Sequence, residues 1–276
     1  MRDSIIRLFP LPNVELPLKG LYLSHNLRDN KRDSGESFVY SNYVTSLDGR
    51  IAVPHLTKAG MVVPDQITNP RDWRLFQELA VQADILITSG RYLRDYAEGR
   101  AQEILRVYDD LQFADLKDWR TERGLSPQPD LAVISGSLDF PVPPVLIQGD
   151  RNIVVITTSR AAPGRIEELE SQTGKVIIAG EGSVNGFRLV QSLLKMGYRI
   201  IYNTTGPKVL HLLLAAGVLD RLYLSFVNRL LGGSPFSSIV EGGLLEPPAD
   251  FILNTIHLDP HASDGLGQLL TSYNRA

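Results

Sequence analysis

The sequence predicts an α/β protein with a mainly parallel sheet. From about residue 38 onward, short β-branched and aliphatic runs alternate with amphipathic stretches of about 10–15 residues, which is the pattern of βαβ units. Several of the apolar runs end in Gly, Ser or Thr, where a strand would turn towards the next helix. A hydrophobic content of 43% in 276 residues leaves enough apolar material to cover such a sheet on both faces.

The predicted elements follow one another without an obvious break. The strands are predicted at residues 38–47, 84–90, 131–135, 152–159, 175–180, 198–203 and 221–227. The helices are predicted at residues 70–83, 165–174, 187–197 and 208–216, and in part of 92–123. We therefore predict one domain over residues 38–276, with residues 1–37 as an N-terminal extension packed on it.

The stretch 199–233 carries the clearest local signal. It predicts a strand, the polar turn Thr204-Thr205-Gly206-Pro207, a helix and a second strand. Pro207 suits the first helical turn, and Gly217 suits the position after the helix, where φ is often positive. Such a turn presents free N–H groups and the positive end of the helix dipole, which favours an anion. An ordinary connection with nothing bound is the alternative.

Four of the predicted strands end in small hydroxyl or Gly residues. These ends are 88–90, 135–137, 157–159 and 204–206. Because open α/β sheets bind ligands beyond the carboxyl ends of their strands, the four ends together predict a nucleotide platform. The alternative is ordinary loop composition. No Gly-x-Gly-x-x-Gly follows the first strand, so a Rossmann dehydrogenase is not predicted.

Composition excludes several classes of function. The net charge of −3 argues against nucleic-acid partners and against binding to a membrane surface. The absence of Cys excludes thiolate chemistry, and the five His show no ligand spacing, so no metal site is expected. Charges and prolines interrupt the first residues, unlike a signal peptide, and no apolar run reaches the length of a membrane span. The expected location is the cytoplasm.

Five segments resemble, in order, motifs of the pyrimidine reductase of riboflavin biosynthesis, the carboxyl-terminal half of a bifunctional deaminase–reductase. They are VTSLDGRIA at 44–52, ADILITS at 83–89, TTGPKVL at 204–210, AGVLDRL at 216–222 and LGG at 231–233. The resemblance implies a dihydrofolate-reductase-like three-layer sandwich that binds NADPH, usually as a homodimer. Because no Cys is available to hold zinc, the zinc-assisted deamination of the other half is excluded.

The resemblance also implies roles for individual residues. The pyrophosphate would lie at Thr204, Thr205, Gly206, Pro207 and Lys208, with a second phosphate contact at Ser89, Gly90, Arg91 and Tyr92. Ser135 and Thr158 are candidate partners of the adenosine 2′-phosphate, and Thr45, Ser46 and Ala52 would flank the nicotinamide. Asp48 and Asp72 would approach the substrate, as would Asn42, which stands where the family has Lys.

Other departures from the family lie at Thr204, in place of Glu, and at Thr205, in place of the first Gly of the motif. We predict an NADPH-dependent reductase that transfers a hydride to a small heterocyclic or ribosyl-type carbonyl or imine. The alternative is a catalytically degenerate nucleotide-binding protein of the same fold, which the replaced Lys and Glu motivate.

Several of these residues have a structural interpretation as well. Asn69-Pro70-Arg71-Asp72 has the form of a helix cap with an acid at the third position, whose carboxylate can return a hydrogen bond to the cap. Asp48 could be a turn former, Arg91 a solvated arginine, and Lys208 an exposed lysine.

Packing predictions accompany these site predictions. Trp73, Phe76, Ala80 and Ala83 fall on one helical stripe, which predicts a core face. The apolar segments LSFV at 224–227 and LGQLLTSY at 266–273 could form a dimer contact or pair within the chain.

Overall fold

The structure, a computed structural model, describes residues 4–29, 36–55, 60–101, 104, 110–147 and 151–276, with residues 145 and 147 described by their backbone only. The described chain divides into two compact units. Unit 1 comprises Met1–Asn26, Val39–Glu78 and Gly206–Ala276, and unit 2 comprises Leu27–Phe38 and Leu79–Thr205.

The strands and helices are numbered in chain order. The strands are β1 (Ser4–Phe9), β2 (Val14–Pro17), β3 (Phe38–Ser46), β4 (Val53–Pro54), β5 (Met61–Val62), β6 (Ile85–Ser89), β7 (Asp130–Ile134), β8 (Ile153–Thr157), β9 (Val176–Ile178), β10 (Ile200–Asn203), β11 (Arg221–Val227), β12 (Phe251–Asp259) and β13 (Gln268–Arg275). The α-helices are α1 (Pro70–Ala80), α2 (Gly90–Ala97), α3 (Ala114–Glu122), α4 (Pro144–Ile147), α5 (Pro163–Thr173), α6 (Gly186–Lys195) and α7 (Pro207–Ala215). Short 3₁₀ helices lie at Leu23–His25, Asp65–Ile67, Leu111–Phe113 and Ser263–Gly265.

Unit 2 is built on five parallel strands in the order β10-β6-β7-β8-β9. The interiors of β10, β6, β7 and β8 consist mainly of Ile, Leu and Val that are almost fully buried, whereas the edge strand β9 is half-buried to exposed. Parallel strands covered on both faces require such unbroken apolar runs. This is the βαβ pattern that the sequence predicts.

Unit 1 has a different sheet. Its strands follow the order β2-β1-β12-β13-β11-β3, in which β3 and β11 are parallel and the other neighbours are antiparallel. Buried polar side chains lie within these strands, among them Ser225, His257 and Ser272, and buried Gln268 lies at the start of β13. Strand β12 and the N-terminal hairpin β1–β2 are absent from the sequence prediction.

The predicted α/β class with a mainly parallel sheet is confirmed, and the helix that begins at Pro207 and the left-handed φ of +64° at Gly217 agree with the local prediction. Segments 224–227 and 266–273 pair with each other within the chain as β11 and β13, and a dimer contact through the exposed face of these strands stays a prediction. The domain boundary at residue 37 stays a prediction, although β1 pairs with β12 inside the sheet of unit 1.

The core stripe predicted on α1 is partly wrong. Ala80 and Ala83 are fully buried, but Trp73 and Phe76 are only half-buried and stack on each other with ring centroids 4.8 Å apart. The buried face of α1 instead includes Leu75, with the polar pair Arg74 and Glu78 joined by an ion pair of 2.9 Å. Glu78 also accepts the backbone N–H groups of residues 20 and 22, so the helix holds the N-terminal segment through buried charge that the pattern of apolar residues does not reveal.

Within the described part of the chain, no helix is both long and apolar enough to cross a membrane.

Candidate functional site

The carboxyl ends of the five parallel strands of unit 2 lie along one edge of its sheet. These ends carry Ser89, Ser135, Thr158, Ala179 and Thr204, each followed by Gly, Ser or Thr. The chain runs from β6 outward to β9 and then returns to place β10 on the other side of β6. The crevice at such a reversal of strand order is where open α/β sheets bind ligands. The turns after β6 and β10, which contain predicted phosphate contacts, border this crevice.

Ser89 and Gly90 form the first of these turns. The Ser89 hydroxyl accepts the N–H of Tyr92 at 3.3 Å and caps α2, so the helix begins directly at the turn. Gly90 is buried, and a Cβ at this position would lie 2.7 Å from Cδ1 of Phe140 and 3.1 Å from Oγ of Ser135. The structure therefore brings together two predicted cofactor segments, at 89–92 and at 135. Only Gly permits this approach.

Thr204 and Thr205 form the turn after β10. The backbone N–H and the hydroxyl of Thr204 both donate to the carbonyl of Ile87 on β6, at 3.1 and 2.9 Å. Thr205 donates its N–H and its hydroxyl to Oδ1 of Asn203, at 3.2 and 2.5 Å. Asn203 is fully buried and shapes the turn, a role that the sequence analysis missed. Its signal is an Asx turn at a strand end.

The remaining predicted cofactor residues of unit 2 differ in their surroundings. Arg91 is exposed and forms an ion pair with Asp95, one turn along α2, at 3.6 Å, which agrees with its structural interpretation. Thr158 is buried at the end of β8. Two residues further on, Arg160 lies over Gly182, so that a Cβ there would meet its guanidinium carbon at 3.4 Å. This exposed cation at the same strand edge was also missed, although it directly follows the predicted strand 152–159.

In unit 1, the Asp48 carboxylate joins the turn after β3 to the loop after β11. It accepts the Ser46 hydroxyl at 2.5 Å and the N–H groups of Gly232 and Leu231 at 2.8 and 3.2 Å. It also pairs with Arg50 at 2.7 Å. The hydrogen bonds from Ser46 and Gly232, together with those from Leu231 and the charge of Arg50, lower the pKa of Asp48 to about 2. Asp48 is therefore a carboxylate at neutral pH, consistent with the role of turn former.

Arg50 extends this connection. Its guanidinium donates to the carbonyl of Gly233 at 2.9 Å and lies 4.3 Å from the ring centroid of Phe236. Ala52 forms an isolated bridge with Ser237. The SLDG and LGG motifs, which are far apart in sequence, thus form one local structure. Thr45 and Ser46 are buried within it, and the hydroxyl of Thr45 donates to the carbonyl of Ser46 at 3.1 Å.

Asp72 lies in the first turn of α1, where Asn69 caps the helix as predicted by accepting the N–H groups of Arg71 and Asp72 at 3.1 and 2.9 Å. Its carboxyl group bonds not to the cap but to Gln268, at 2.9 Å, and to Ser225. Burial raises the pKa of Asp72 above its ordinary value, against the opposing effect of these two hydrogen bonds.

Asn42 and Asp72 belong to the same face of the unit 1 sheet. Strand register pairs Tyr223 with Asn42 and Ser225 with Val44, and directly paired residues point to the same side of a sheet. Asn42, Val44 and Asp72 are each half-buried. Together with Ser225 they form a partly exposed polar patch, which we call the Asp72 patch.

Lys208 is exposed in the first turn of α7, whose N-cap residue is Gly206. Among the residues that the structure describes, no group of three or more His, Asp or Glu side chains is arranged to hold a metal ion.

Fold and site together define an α/β protein with a strand edge lined by glycine and hydroxyl residues and a half-buried acid in the first turn of α1. The model of the RibD C-terminal domain family matches residues 37–258. The chain belongs to this family. A search of curated protein sequences gave no match.

Solved structures with the same fold include three that are similar over most of this chain. A pyrimidine reductase-like protein from Corynebacterium diphtheriae is 19% identical, with 88% of this chain and 93% of that chain covered and a TM-score of 0.63. RibD from Acinetobacter baumannii is 16% identical, with 88% and 59% covered and a TM-score of 0.58. The riboflavin biosynthesis reductase Rib7 from Saccharomyces cerevisiae is 13% identical, with 92% and 98% covered and a TM-score of 0.53. At these identities the likeness shows the fold.

Proposed function

We propose that this protein is an NADPH-dependent reductase that acts on a small heterocyclic or ribosyl-type carbonyl or imine. The observation that carries the proposal is the reversal of strand order in unit 2, which places the Thr204–Thr205 turn after β10 next to the strand that ends in Ser89–Gly90. Membership of the RibD C-terminal domain family and the reductase names of the similar structures support the reaction class.

The residues present fit a dinucleotide phosphate. Ser89 caps α2, so the N-terminus of this helix begins at the turn, and Gly90 lets the turn pack directly against Ser135 and Phe140. Arg160, on the same strand edge, is the side chain of unit 2 that we assign to an anionic group, and Ser135 is adjacent to Gly90. NADPH would supply the hydride, and the chain's own residues would bind and orient it.

Unit 1 contains the two acids that are predicted to approach the substrate, Asp48 and Asp72. Asp48 fixes the loop geometry around the SLDG motif and stays ionised, so it positions rather than exchanges protons. Asp72, whose pKa is raised by burial, is the group suited to hold a proton near a reacting carbonyl or imine. Asn42, on the same face, offers an amide to a polar substrate.

Titration of the purified protein with NADPH and NADH, followed by nicotinamide fluorescence and thermal shift, tests the cofactor assignment. A ligand at 100 times its Kd stabilises the native state by about 2.7 kcal/mol. We expect NADPH to bind more tightly than NADH, and Lys208→Glu and Arg160→Glu to weaken it. Lys195→Glu, an exposed lysine at the end of α6, makes the same charge change as a control. Binding of neither dinucleotide would refute the proposal.

A second candidate is a nucleotide-binding protein of this fold that has lost catalysis. It is favoured by the hydrogen bonds that occupy two predicted site groups: the Asp48 carboxylate is bound by the loop at Leu231 and Gly232, and the Thr204 hydroxyl is bound to Ile87. NADPH binding without oxidation by any carbonyl or imine substrate in a screen would select this candidate.

We also propose that the protein is a homodimer. The residues Ile6, Leu258, Leu269 and Phe226 are in register across β1, β12, β13 and β11, and each is half-exposed. A second copy would cover this apolar row. Light scattering of Leu258→Arg should give the monomer mass, whereas Ile178→Arg, at another exposed apolar position, should keep the dimer. A monomeric wild type would remove this proposal. The cytoplasmic location and the absence of nucleic-acid partners stay predictions.

A further inference from the structure

The side-chain amide of Gln268 connects two functional parts of α1. Gln268 lies at the start of β13 and is only 1% exposed. Its Oε1 accepts from Nδ2 of Asn69 at 2.7 Å, and its Nε2 donates to Oδ1 of Asp72 at 2.9 Å. One buried amide therefore contacts both the helix cap and the acid of the Asp72 patch.

The backbone fixes the direction of this chain of hydrogen bonds. Asn69 must present Oδ1 to the N–H groups of Arg71 and Asp72, because a backbone N–H can only donate. Its Nδ2 is then the atom that faces Gln268, which must present Oε1 to it. The Nε2 of Gln268 is left for Asp72 and can only donate. This assignment follows from the network and leaves one consistent orientation of both amides.

The N–H group that Gln268 directs at Oδ1 of Asp72 affects which of the two carboxyl oxygens can carry a proton. An oxygen that accepts a hydrogen bond from a fixed N–H is a poor place for a proton, because the two hydrogens would oppose each other. Ser225, the other partner of Asp72, carries a hydroxyl that can donate or accept, so it tolerates either state of the carboxyl group. The two oxygens of Asp72 are thus not equivalent.

We propose that Gln268 is a positioning residue for the reaction at this site: by donating to Oδ1 of Asp72, it confines the proton that Asp72 can deliver to Oδ2. The proposal rests on the proposed function, in which Asp72 serves the substrate. It adds a residue from the last strand that no motif of the sequence indicates.

The charged groups around Asp72 are compatible with this role. Asp259 on β12 faces it and raises its pKa, but is itself paired with Arg71 at 2.6 Å. Burial raises the pKa of Tyr22, from the N-terminal segment, and the charge of nearby Asp72 raises it further, so this hydroxyl stays neutral. Gln268 on β13 and Ser225 on β11 supply neutral dipoles. Gln268 is therefore the neighbour of Asp72 whose donor direction the hydrogen-bond network fixes.

The titration of Asp72 can be measured directly by ¹³C NMR of the labelled carboxyl carbon, assigned by its loss in Asp72→Asn. Gln268→Glu replaces the donor by a second carboxyl group and should raise the Asp72 midpoint by about one pH unit or more, since hydrogen bonds to charged groups and like charges act on this scale. Gln191→Glu, a half-buried glutamine on α6, is the matched control and should leave the midpoint unchanged.

Asn69→Ser provides a second test that preserves the helix cap, because Ser is itself a good N-cap residue. It removes the donor to Gln268, freeing the amide to turn its oxygen towards Asp72, so a smaller upward shift is expected. This variant keeps the proposal open to refutation even where Gln268→Glu fails to fold. An unchanged Asp72 midpoint in the variants that fold would overturn it.

Measurements of turnover distinguish a positioning role of Gln268 from a purely structural one. With a substrate in hand, the alkaline limb of the pH–rate profile should move upward in Asn69→Ser along with the Asp72 midpoint, and kcat should fall more than KM rises. An unmoved alkaline limb would overturn the positioning role. The NMR titration needs no cofactor. Failure of NADPH to bind would refute the proposed function, but the effect of Gln268 on the protonation of Asp72 could still be confirmed.

Discussion

The two units place their polar groups in opposite ways. In unit 2 the strand interiors are apolar, and the candidate ligand contacts are confined to one edge, at Ser89, Ser135, Thr158 and Thr204. In unit 1 polar side chains are buried in the middle of antiparallel strands and bind partners distant in sequence. Parallel strands covered on both faces have no room for polar side chains except at their ends, so their chemistry is confined to turns. In unit 1, by contrast, the candidate site residues lie on a face of the sheet.

The largest loss of stability is expected when a buried charge of unit 1 loses its partner. Asp259 is 2% exposed and pairs with Arg71 at 2.6 Å. Arg71→Met leaves this carboxylate uncompensated and should lower the free energy of unfolding by about 3–5 kcal/mol. Urea denaturation measures the change, and the double variant with Asp259→Leu should recover most of it. A double variant no more stable than the single one would contradict the pairing.

The corresponding change in unit 2 removes apolar volume. Leu86, on β6, is fully buried, and Leu86→Ala should cost roughly 2–5 kcal/mol through lost transfer energy and the cavity left behind. Leu111→Ala, at a side chain that is 94% exposed, should stay within about 0.5 kcal/mol of wild type. Comparable losses at both positions in urea denaturation would show that burial in β6 is not what stabilises this unit.

The units should also differ in their response to acid, because all five histidines lie in unit 1. Burial lowers the pKa of His25 to about 3 and that of His257 to about 4. Between these values and about 6.5 the unfolded chain binds protons that the native state does not, so stability falls as the pH falls, by up to about 1.4 kcal/mol per pH unit for each histidine. Hydrogen exchange should show unit 1 losing protection first.

His257→Leu tests this pH dependence. Nδ1 of His257 is buried without a hydrogen-bond partner among the described residues, so the replacement removes a group that costs free energy to bury. The stability profile between about pH 6.5 and 4 should become flatter. A profile as steep as that of the wild type would assign the acid sensitivity to other groups.

The smallest effect is expected at the strand edge itself. Thr204→Val removes the hydrogen bond from the hydroxyl to the Ile87 carbonyl. The loss of stability should be only about 1 kcal/mol, because that carbonyl still accepts the backbone N–H of residue 204. Since the hydroxyl is directed at Ile87, the Kd for NADPH should change less than it does in Lys208→Glu. A larger loss of affinity in Thr204→Val would make the hydroxyl a ligand contact.

The two units also differ in how much of the candidate site could be predicted from the sequence. The turns at Gly90 and Thr204 were found because a strand end followed by Gly or a hydroxyl residue is a local pattern. Asn203 and Arg160 were missed, although both are adjacent to predicted segments, because a polar residue beside a strand end has many possible roles. In unit 1, Asp48 and Asp72 were named but their partners were not: Gln268 is almost two hundred residues from Asp72 in the chain.

The sequence by itself determined the alternation of strands and helices, the turn before Pro207 and the left-handed Gly217, since each depends on neighbours in the chain. Tertiary structure decided the hydrogen-bond partners of Asp48 and Asp72, the half-burial of Trp73, and the pairing of β12 and β13 that supplies Gln268. Antiparallel pairing joins residues at any sequence separation, and burial then fixes the partners and proton affinity of a polar group. Neither is encoded in a local pattern.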